Sequence, residues 1–187
     1  WRVALALQAD GWYLRSDIIW NKPNPMPESV ADRPTKSHEY IFLLTKSAKY
    51  FYDYEAIKEK GEYPAGTKAA KGSAKRYSTD LVNSRPPEYK VYDGLRNKRS
   101  VWKITTKPYK EAHFATFPEE LPETCIKAGT QKGDVVLDIF AGSGTTLRVA
   151  SKLGRKGIGI ELNPEYIKIL KKRCKIESES LEAFVKN

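Results

Sequence analysis

The sequence predicts an α/β fold built around a parallel pair of strands, and three observations in its C-terminal third carry that prediction. Residues 135–140 form an apolar run that leads directly into a turn with two glycines, Gly142 and Gly144. A helical stretch follows over 145–153, and a second short strand-like run follows over 157–161. A strand, a helix and another strand in this order are typical of a unit whose two strands run parallel.

A further helix is predicted directly after the second strand. Asn163 suits the N-cap of a helix, and Pro164 suits the first helical position, where its missing N–H is not needed. Apolar side chains then recur at helical spacing, at Tyr166, Ile167, Ile169 and Leu170. The C-terminal third therefore predicts a βαβα unit with helices flanking the sheet.

The N-terminal residues predict more of the same sheet. Residues 3–8 indicate the end of an apolar helix, which an Asp-Gly pair stops. Residues 12–20 indicate a strand, and the continuous apolar run over 39–45 indicates a buried one. We expect residues 49–53 to extend or pair with that second strand.

The charge of the chain is concentrated in its middle. The 187 residues include 33 Lys+Arg and 23 Asp+Glu, a net charge of +10. Residues 55–100 hold 11 basic and six acidic residues, with tyrosines and glycines among them. Cations that neutralise phosphates and aromatics that stack on bases favour a nucleic-acid contact. A solvated surface loop is the alternative that composition alone leaves open.

Composition also excludes several classes of protein. The longest apolar runs have five residues, far short of the roughly 20 that a membrane span needs. Cys125 and Cys174 lack the paired spacing of a zinc site and predict no metal. Two cysteines suit a reduced, cytoplasmic setting.

The glycine turn predicts a ligand site. Two glycines let the backbone approach a ligand at the start of the next helix, and Glu161 stands where an acidic side chain can bind ribose hydroxyls. A dinucleotide fingerprint needs a third glycine where Leu147 stands, and a P-loop needs a Gly-Lys-Ser/Thr sequence that the chain lacks. These observations favour a nucleoside, although the glycines could simply close a tight turn.

Longer motifs resemble those of a known family. Residues 138–146, Asp-Ile-Phe-Ala-Gly-Ser-Gly-Thr-Thr, resemble the glycine motif of amino-group DNA methyltransferases, and residues 113–121 are similar to the segment that precedes it. Residues 17–27 and 36–46 look like the family's strands after its catalytic motif. The order of the parts is similar to the β arrangement of the family.

The resemblance implies a Rossmann-like S-adenosylmethionine-dependent methyltransferase sheet flanked by helices, with an inserted basic recognition region. It implies three parts: 1–54 with strands 6 and 7, a target-recognition insert at 55–100, and the cofactor region at 101–187. The implied cofactor is S-adenosylmethionine, and its implied binding residues are His113, Phe114, Ala115, Thr116, Phe117, Asp138, Phe140, Gly142, Ser143, Gly144, Thr145, Thr146, Glu161 and Leu162. The implied DNA-binding residues are Lys22, Arg33, Lys36, Lys75, Arg76, Arg96, Lys98 and Arg99.

Asp138 and the two histidines keep alternative roles. Asp138 could contact the cofactor or could cap the turn with its own carboxylate. His38 and His113 are expected to be structural residues, because methyl transfer to an amine does not demand a histidine.

The family's catalytic motif, Asp or Ser followed by Pro-Pro-Tyr, does not occur in the chain. The Pro86-Pro87 pair follows an arginine and precedes a glutamate, so it is not that motif. Strands 4 and 5, which lie at the centre of the family's sheet, are not found either. We therefore expect an incomplete sheet, about a hundred residues upstream of Trp1 or a complementary chain that supplies them, and no activity from this chain alone.

The resemblance implies site-specific methylation of double-stranded DNA in a bacterial or phage restriction-modification setting. The implied target is the amine of a flipped base, cytosine N4 or adenine N6. The sequence itself does not distinguish the two, but residues 20–27, Trp-Asn-Lys-Pro-Asn-Pro-Met-Pro, resemble relatives that carry the Ser form of the catalytic motif, and this resemblance favours cytosine N4. An inactive DNA- or cofactor-binding remnant, a methyltransferase acting on RNA or a small molecule, and a homodimer are left open.

Overall fold

The computed structural model describes residues 1–70, 89–106 and 117–175. They form two compact units. One is Tyr54–Lys98, and the other combines Trp1–Asp53 with the described residues from Arg99 onward. In chain order the elements are α1 (Arg2–Ala9), β1 (Tyr13–Asn21), β2 (His38–Thr45), a 3-10 turn (Glu55–Ile57), β3 (Glu59–Lys60), β4 (Lys68–Ala70), β5 (Tyr89–Val91), β6 (Leu95–Arg96), β7 (Val101–Lys103), α2 (Glu120–Gly129), β8 (Val135–Asp138), α3 (Thr145–Lys152), β9 (Lys156–Gly159) and α4 (Pro164–Cys174).

Strand β1 is the middle strand of a three-stranded sheet. It pairs antiparallel with β2 and parallel with β7, in the order β2-β1-β7. Trp20 and Trp102 face one another in this register and are buried with Ile104. The indole Nε1 of Trp20 donates a 2.8 Å hydrogen bond to the carbonyl of Ile104, which satisfies the polar end of a buried aromatic side chain.

Strands β8 and β9 form the predicted parallel pair, and α3 connects them. The inner face of α3 packs Val149 and Ala150 on Ile126 of α2. Leu147 also lies close to the sheet, because Gly157 and Gly159 of β9 have no side chains that would fill the space it occupies. A Cβ at Gly159 would lie 2.6 Å from Leu147 Cδ1. In dinucleotide-binding sites, a third glycine in the turn allows the helix to pack closely on the strand. Here the glycines of β9 allow the same close packing.

The predicted helices and strands are confirmed with small shifts at their ends, with one exception. Asn163 caps α4 as expected, accepting a 3.0 Å hydrogen bond from the N–H of Glu165. The prediction that residues 49–53 extend or pair with the second strand is wrong. The hydroxyl of Thr45 donates to the Ser47 carbonyl over 2.8 Å where the chain turns, and the N–H of Asp53 donates to the Ala128 carbonyl instead of to a strand.

The sheet has the predicted gap. Among the described residues, β2 and β8 each have one strand partner, and no strand lies between them. Apolar side chains beside the gap are exposed, including Leu137 at 58%. A parallel sheet is normally covered on both faces, so these strands lack part of their usual surroundings.

The unit Tyr54–Lys98 contains two antiparallel strand pairs, β3-β6 and β4-β5. It lies at nearly the same place in the chain as the predicted insert, whose recognition role stays a prediction. None of the helices in the described ranges is long and apolar enough to cross a membrane.

Candidate functional site

The glycine turn joins β8 to α3. Asp138, the last residue of β8, accepts a 3.0 Å hydrogen bond from the N–H of Phe140 through its side chain. This is the capping role that the sequence left as one of two alternatives. Gly142 and Gly144 have φ of +51° and +78°, a backbone region that side chains disfavour. The N–H of Gly144 donates to the carbonyl of Ala141 over 2.8 Å, which closes the turn before α3 begins.

The two glycines differ in what surrounds them. A Cβ at Gly144 would lie 2.9 Å from Leu170 Cγ and 3.1 Å from Cys174 Sγ, so α4 closes this side of the turn. A Cβ at Gly142 would meet only the carbonyl oxygen of Phe140, at 3.9 Å. The turn therefore has a packed side against α4 and an open side at Gly142, where a ligand can approach the backbone.

Glu161 connects the turn to the next helix. One carboxylate oxygen accepts a 2.8 Å hydrogen bond from the N–H of Gly142, and the other accepts one of 2.8 Å from the N–H of Asn163. A carboxylate has about four acceptor positions, so Glu161 keeps capacity for the hydroxyls of a sugar. Burial and then the charge of Glu161 raise the pKa of the Tyr166 phenol, which stays neutral beside the carboxylate.

Two large apolar side chains stand exposed beside the turn. Phe140 follows β8 and is 82% exposed, and Leu162 follows β9 and is 92% exposed. Both occupy the carboxyl ends of parallel strands, where ligands of α/β folds bind. Exposed apolar groups beside hydrogen-bonding backbone suit a ligand with a flat ring and a polar sugar.

The hydroxyls of Ser143 and Thr145 point into the protein. Ser143 is 8% exposed and Thr145 is 4% exposed. Their oxygens accept hydrogen bonds of 2.8 Å and 2.9 Å from Nη1 of Arg173. Ser143 and Thr145 are predicted cofactor-binding residues, and in this structure their hydroxyls are engaged by α4.

Arg173 also takes part in a charged cluster around Glu119. The carboxylate of Glu119 lies 2.6 Å from Lys152 Nζ, 3.4 Å from Arg148 Nε and 3.6 Å from Arg173 Nη2. Burial opposes ionisation of Glu119, but the three cations outweigh it and hold the pKa of this carboxyl below its usual value. The cluster fixes the charged end of Arg173 beside the turn.

Phe117 and Thr146 line an apolar cleft between β2 and β8. The cleft has a volume of about 380 Å³. Its lining residues are Ile41, Phe117, Leu121, Pro122, Cys125, Ile126, Thr130, Val136, Leu137, Asp138 and Thr146. Phe117 also packs on the core of the three-stranded sheet. The cleft occupies the gap in the sheet and is bounded at one end by the glycine turn.

The predicted DNA-binding residues of the N-terminal segment have different surroundings. Lys22 pairs with Glu39, and its Nζ lies 4.6 Å from the centre of the Trp20 ring. Arg33 pairs with its neighbour Asp32 over 3.1 Å. Lys36 is exposed on the surface. A phosphate-binding role for these three stays a prediction.

The remaining predicted residues are placed only in part. Arg96 is bound within its own unit, with Nε 2.9 Å from Glu59 and Nη1 3.1 Å from Glu62. Lys98 is half-buried, and Arg99 is exposed and accepts a hydrogen bond from the Trp102 indole through its carbonyl. The predicted residues His113, Phe114, Ala115, Thr116, Lys75 and Arg76 lie outside the described residues. No cluster of metal-binding side chains occurs in the part of the chain that the structure describes.

Sequence analysis missed the groups of α4 that hold the turn. Leu170 and Cys174 are four residues apart and therefore share one face of a helix, which was the signal that they pack together. Nothing in the spacing indicated that Arg173 would reach Ser143, 30 residues earlier.

Comparison with known proteins identifies the family of the chain. A family model described as DNA methylase (N6_N4_Mtase) matches residues 2–172. The Type II methyltransferase M.Cfr9I of Citrobacter freundii is 50% identical over 181 residues, which are 97% of this chain and 51% of the relative. M.SmaI of Serratia marcescens is 49% identical over 173 residues, 92% of this chain and 50% of the relative. The chain thus spans about half the length of these relatives.

Solved structures give the same result for the fold. The M1.HpyAVI-SAM complex is 25% identical with a TM-score of 0.61, and the match covers 94% of this chain and 69% of that one. PvuII DNA methyltransferase (cytosine-N4-specific), at 22% identity and a TM-score of 0.66, covers 97% of this chain and 60% of that one and shows the fold alone. The resemblance found in the motifs is confirmed, and the chain belongs to the DNA methylase family.

Proposed function

We propose that the whole protein moves a methyl group from S-adenosylmethionine to the exocyclic amine of a base in double-stranded DNA, at cytosine N4 or adenine N6. The observation that carries this proposal is the open glycine turn, with Glu161 bound to Gly142 over 2.8 Å, in a chain of the DNA methylase family. When bound, S-adenosylmethionine supplies an electrophilic methyl group on its sulfonium.

The residues around the turn fit the adenosyl part of this cofactor. The side of the turn at Gly142 is open, because a Cβ added there would meet only the Phe140 carbonyl oxygen. Glu161 offers its remaining acceptor positions to ribose hydroxyls, and Phe140 and Leu162 offer apolar surfaces to the adenine ring. The name of a related structure, the M1.HpyAVI-SAM complex, supports S-adenosylmethionine as the cofactor.

We propose that this chain alone does not methylate DNA. An exocyclic amine is a poor nucleophile, because its lone pair is delocalised into the ring. A side-chain oxygen and a backbone carbonyl must accept its hydrogens to localise that lone pair. In the family that work belongs to the Asp/Ser-Pro-Pro-Tyr motif, which this sequence lacks.

A completing polypeptide segment, carrying two strands and the catalytic motif, is proposed to occupy the cleft between β2 and β8. Three observations support it. Each of these strands has a single partner among the described residues, the cleft between Ile41 and Leu137 is apolar, and Leu137 is 58% exposed. The chain also spans about half the length of its relatives. Strands added at these edges would pair the open backbone groups and cover the apolar surface.

Residues 55–100 are proposed to read the target sequence, with basic residues of both units contacting DNA phosphates. The proposed setting is the cytoplasm of a bacterium, or of a phage-infected one, as the modification half of a restriction-modification system. A homodimer stays a prediction.

Transfer of a labelled methyl group to duplex DNA tests the proposal. We expect incorporation with the whole protein and none with this chain alone. Incorporation into RNA but not into DNA would favour the RNA methyltransferase. The second candidate is an inactive DNA- or cofactor-binding remnant, because this sequence lacks the catalytic motif. Cofactor binding by the whole protein without methyl transfer to any nucleic acid would favour it.

A further inference from the structure

We propose that Arg173, near the end of α4, is a positioning residue that holds the glycine turn in its ligand-binding shape through the hydroxyls of Ser143 and Thr145. The inference rests on the proposed function, because it assumes that the turn binds the adenosyl cofactor. It assigns a role to a side chain that lies behind the turn and does not face the open side.

The guanidinium of Arg173, in the last turn of α4, makes several contacts with the glycine turn. Its Nη1 lies 2.8 Å from Ser143 Oγ, 2.9 Å from Thr145 Oγ1 and 3.5 Å from the Ser143 carbonyl. Its side chain is 10% exposed, and the two hydroxyl-bearing residues are less exposed still. Hydrogen bonds from a charged donor in such a place are stronger than ordinary surface contacts.

The turn needs an external support of this kind. Gly142 and Gly144 both have positive φ, and glycine loses more backbone freedom than any other residue when its conformation is fixed. Ser143 lies between the two glycines, and Thr145 is the first residue of α3. Binding both hydroxyls to one guanidinium fixes the peptide units on either side of Gly144.

The rest of α4 supports the same side of the turn. Leu170 and Cys174 pack where a side chain at Gly144 would stand, and the thiol of Cys174 lies 3.6 Å from the Gly144 carbonyl. Glu119 lies 3.6 Å from the second terminal nitrogen of Arg173 and holds the guanidinium in place. A planar guanidinium can bind the hydroxyls and the carboxylate together, whereas a lysine ammonium cannot reproduce that fork.

The assignment changes how Ser143 and Thr145 contribute to the ligand site. Their hydroxyl oxygens accept from Arg173 on the packed side, so their contribution on the open side is through the backbone. The turn is thus shaped by a residue that does not touch the ligand, and cofactor affinity depends on it.

The test uses four variants of the whole protein. Two are Arg173→Met and Arg173→Lys, and the third is a double hydroxyl variant that joins Ser143→Ala with Thr145→Val. The fourth combines Arg173→Met with the double hydroxyl variant. Lys172→Met is the matched control, because it removes an exposed cation from the same helical turn. Cofactor affinity is measured by calorimetry, and KM and kcat by methyl transfer. Hydrogen exchange of the 142–145 amides without cofactor reports the order of the turn itself.

We expect Arg173→Met and the double hydroxyl variant each to weaken cofactor affinity about tenfold, with KM raised and kcat nearly unchanged. Their combination should be little worse than either, because both remove the same interaction. Exchange at 142–145 should quicken about tenfold in both, Arg173→Lys should recover only part of the affinity, and Lys172→Met should change nothing.

Unchanged exchange at 142–145 in the Arg173 variants, or additive losses of affinity in the combination, would overturn the proposal. If Arg173→Met does not fold, Arg173→Lys and the hydroxyl variant carry the same comparison. Failure of the unaltered protein to bind the cofactor would remove the proposed function, and the exchange measurement would still decide whether Arg173 orders the turn.

Discussion

The Glu161 carboxylate accepts a hydrogen bond from the N–H of Gly142 over 2.8 Å, and with its other oxygen it accepts from Asn163. One side chain thereby joins the carboxyl end of β9, the glycine turn and the first residues of α4. Both the shape of the ligand site and its capacity to bind hydroxyls therefore depend on this carboxylate.

Replacing Glu161 by Ala is expected to weaken cofactor affinity by more than tenfold, because it removes both the proposed ribose acceptor and the bond that holds Gly142. Glu161→Gln keeps an acceptor and should lose less. Calorimetry with the whole protein measures both. Glu165→Ala, which removes an exposed carboxylate paired with Lys168 from the start of α4, is the control. Unchanged affinity in Glu161→Ala would remove the ribose assignment.

Alanine at the two turn glycines should separate affinity from stability. Both have positive φ, so each alanine costs about 1–2 kcal/mol of backbone strain. At Gly144 the added Cβ also collides with Leu170 Cγ at 2.9 Å, so Gly144→Ala should lower the free energy of unfolding by a further 1–3 kcal/mol, as overpacking typically does.

At Gly142 the added Cβ has open space, so Gly142→Ala should keep most of the stability and lose affinity, because the methyl group stands where the ligand approaches. Urea unfolding and calorimetry on both variants make the comparison. Equal losses of stability at the two positions would contradict the packed and open sides assigned to the turn.

The sequence predicted the βαβα unit and the position of Glu161, because strand-like runs, a glycine turn and an Asn-Pro helix start are all local signals. It predicted the wrong structure for residues 49–53, because an aromatic run is apolar enough for a strand but here lies against α2. The Arg173 contacts were out of reach, since they join residues 28 and 30 positions apart whose meeting depends on how α4 packs. Local sequence patterns predict strands and turns, whereas the contacts of Arg173 with the glycine turn depend on tertiary packing.

Cys125 can report on the proposed completing segment. Its side chain is exposed in the cleft between β2 and β8, where partial desolvation raises the pKa of its thiol to about 11, from an ordinary 9.0. A raised pKa leaves little thiolate at pH 8, so alkylation of Cys125 by iodoacetamide should be slow there and should quicken as the pH rises. Peptide mass spectrometry distinguishes Cys125 from Cys174.

In the whole protein, a segment seated in the cleft should slow alkylation of Cys125 by at least about tenfold more than in this chain alone. The rate at Cys174, which packs against the glycine turn, is the internal reference. Equal rates at Cys125 in the two proteins would contradict a segment in the cleft.

The Glu119 cluster predicts a pH dependence of stability. Its cations hold the folded-state pKa of Glu119 below the ordinary value of 4.5, so its contribution is present above about pH 4.5 and is lost as the pH falls through the lower folded pKa. Glu119→Gln should therefore be less stable than the unaltered protein at pH 7, with the difference shrinking at acid pH. Thermal unfolding across this range measures it. Glu123→Gln, whose carboxylate pairs with Lys127 on the surface of α2, should show a smaller difference.

Lys36 and Arg96 should respond differently in DNA binding, although the sequence marks both as DNA contacts. Lys36 is exposed, so Lys36→Ala should weaken duplex binding and reduce the slope of log affinity against log salt by about one. The guanidinium of Arg96 is paired with Glu59 and Glu62, so Arg96→Ala should mainly destabilise the β3-β6 pair and change the salt slope less. Binding to duplex DNA at several salt concentrations, with unfolding of each variant, compares them. A full unit of slope lost in Arg96→Ala, with unaltered unfolding, would show that the guanidinium leaves its carboxylates to neutralise a phosphate.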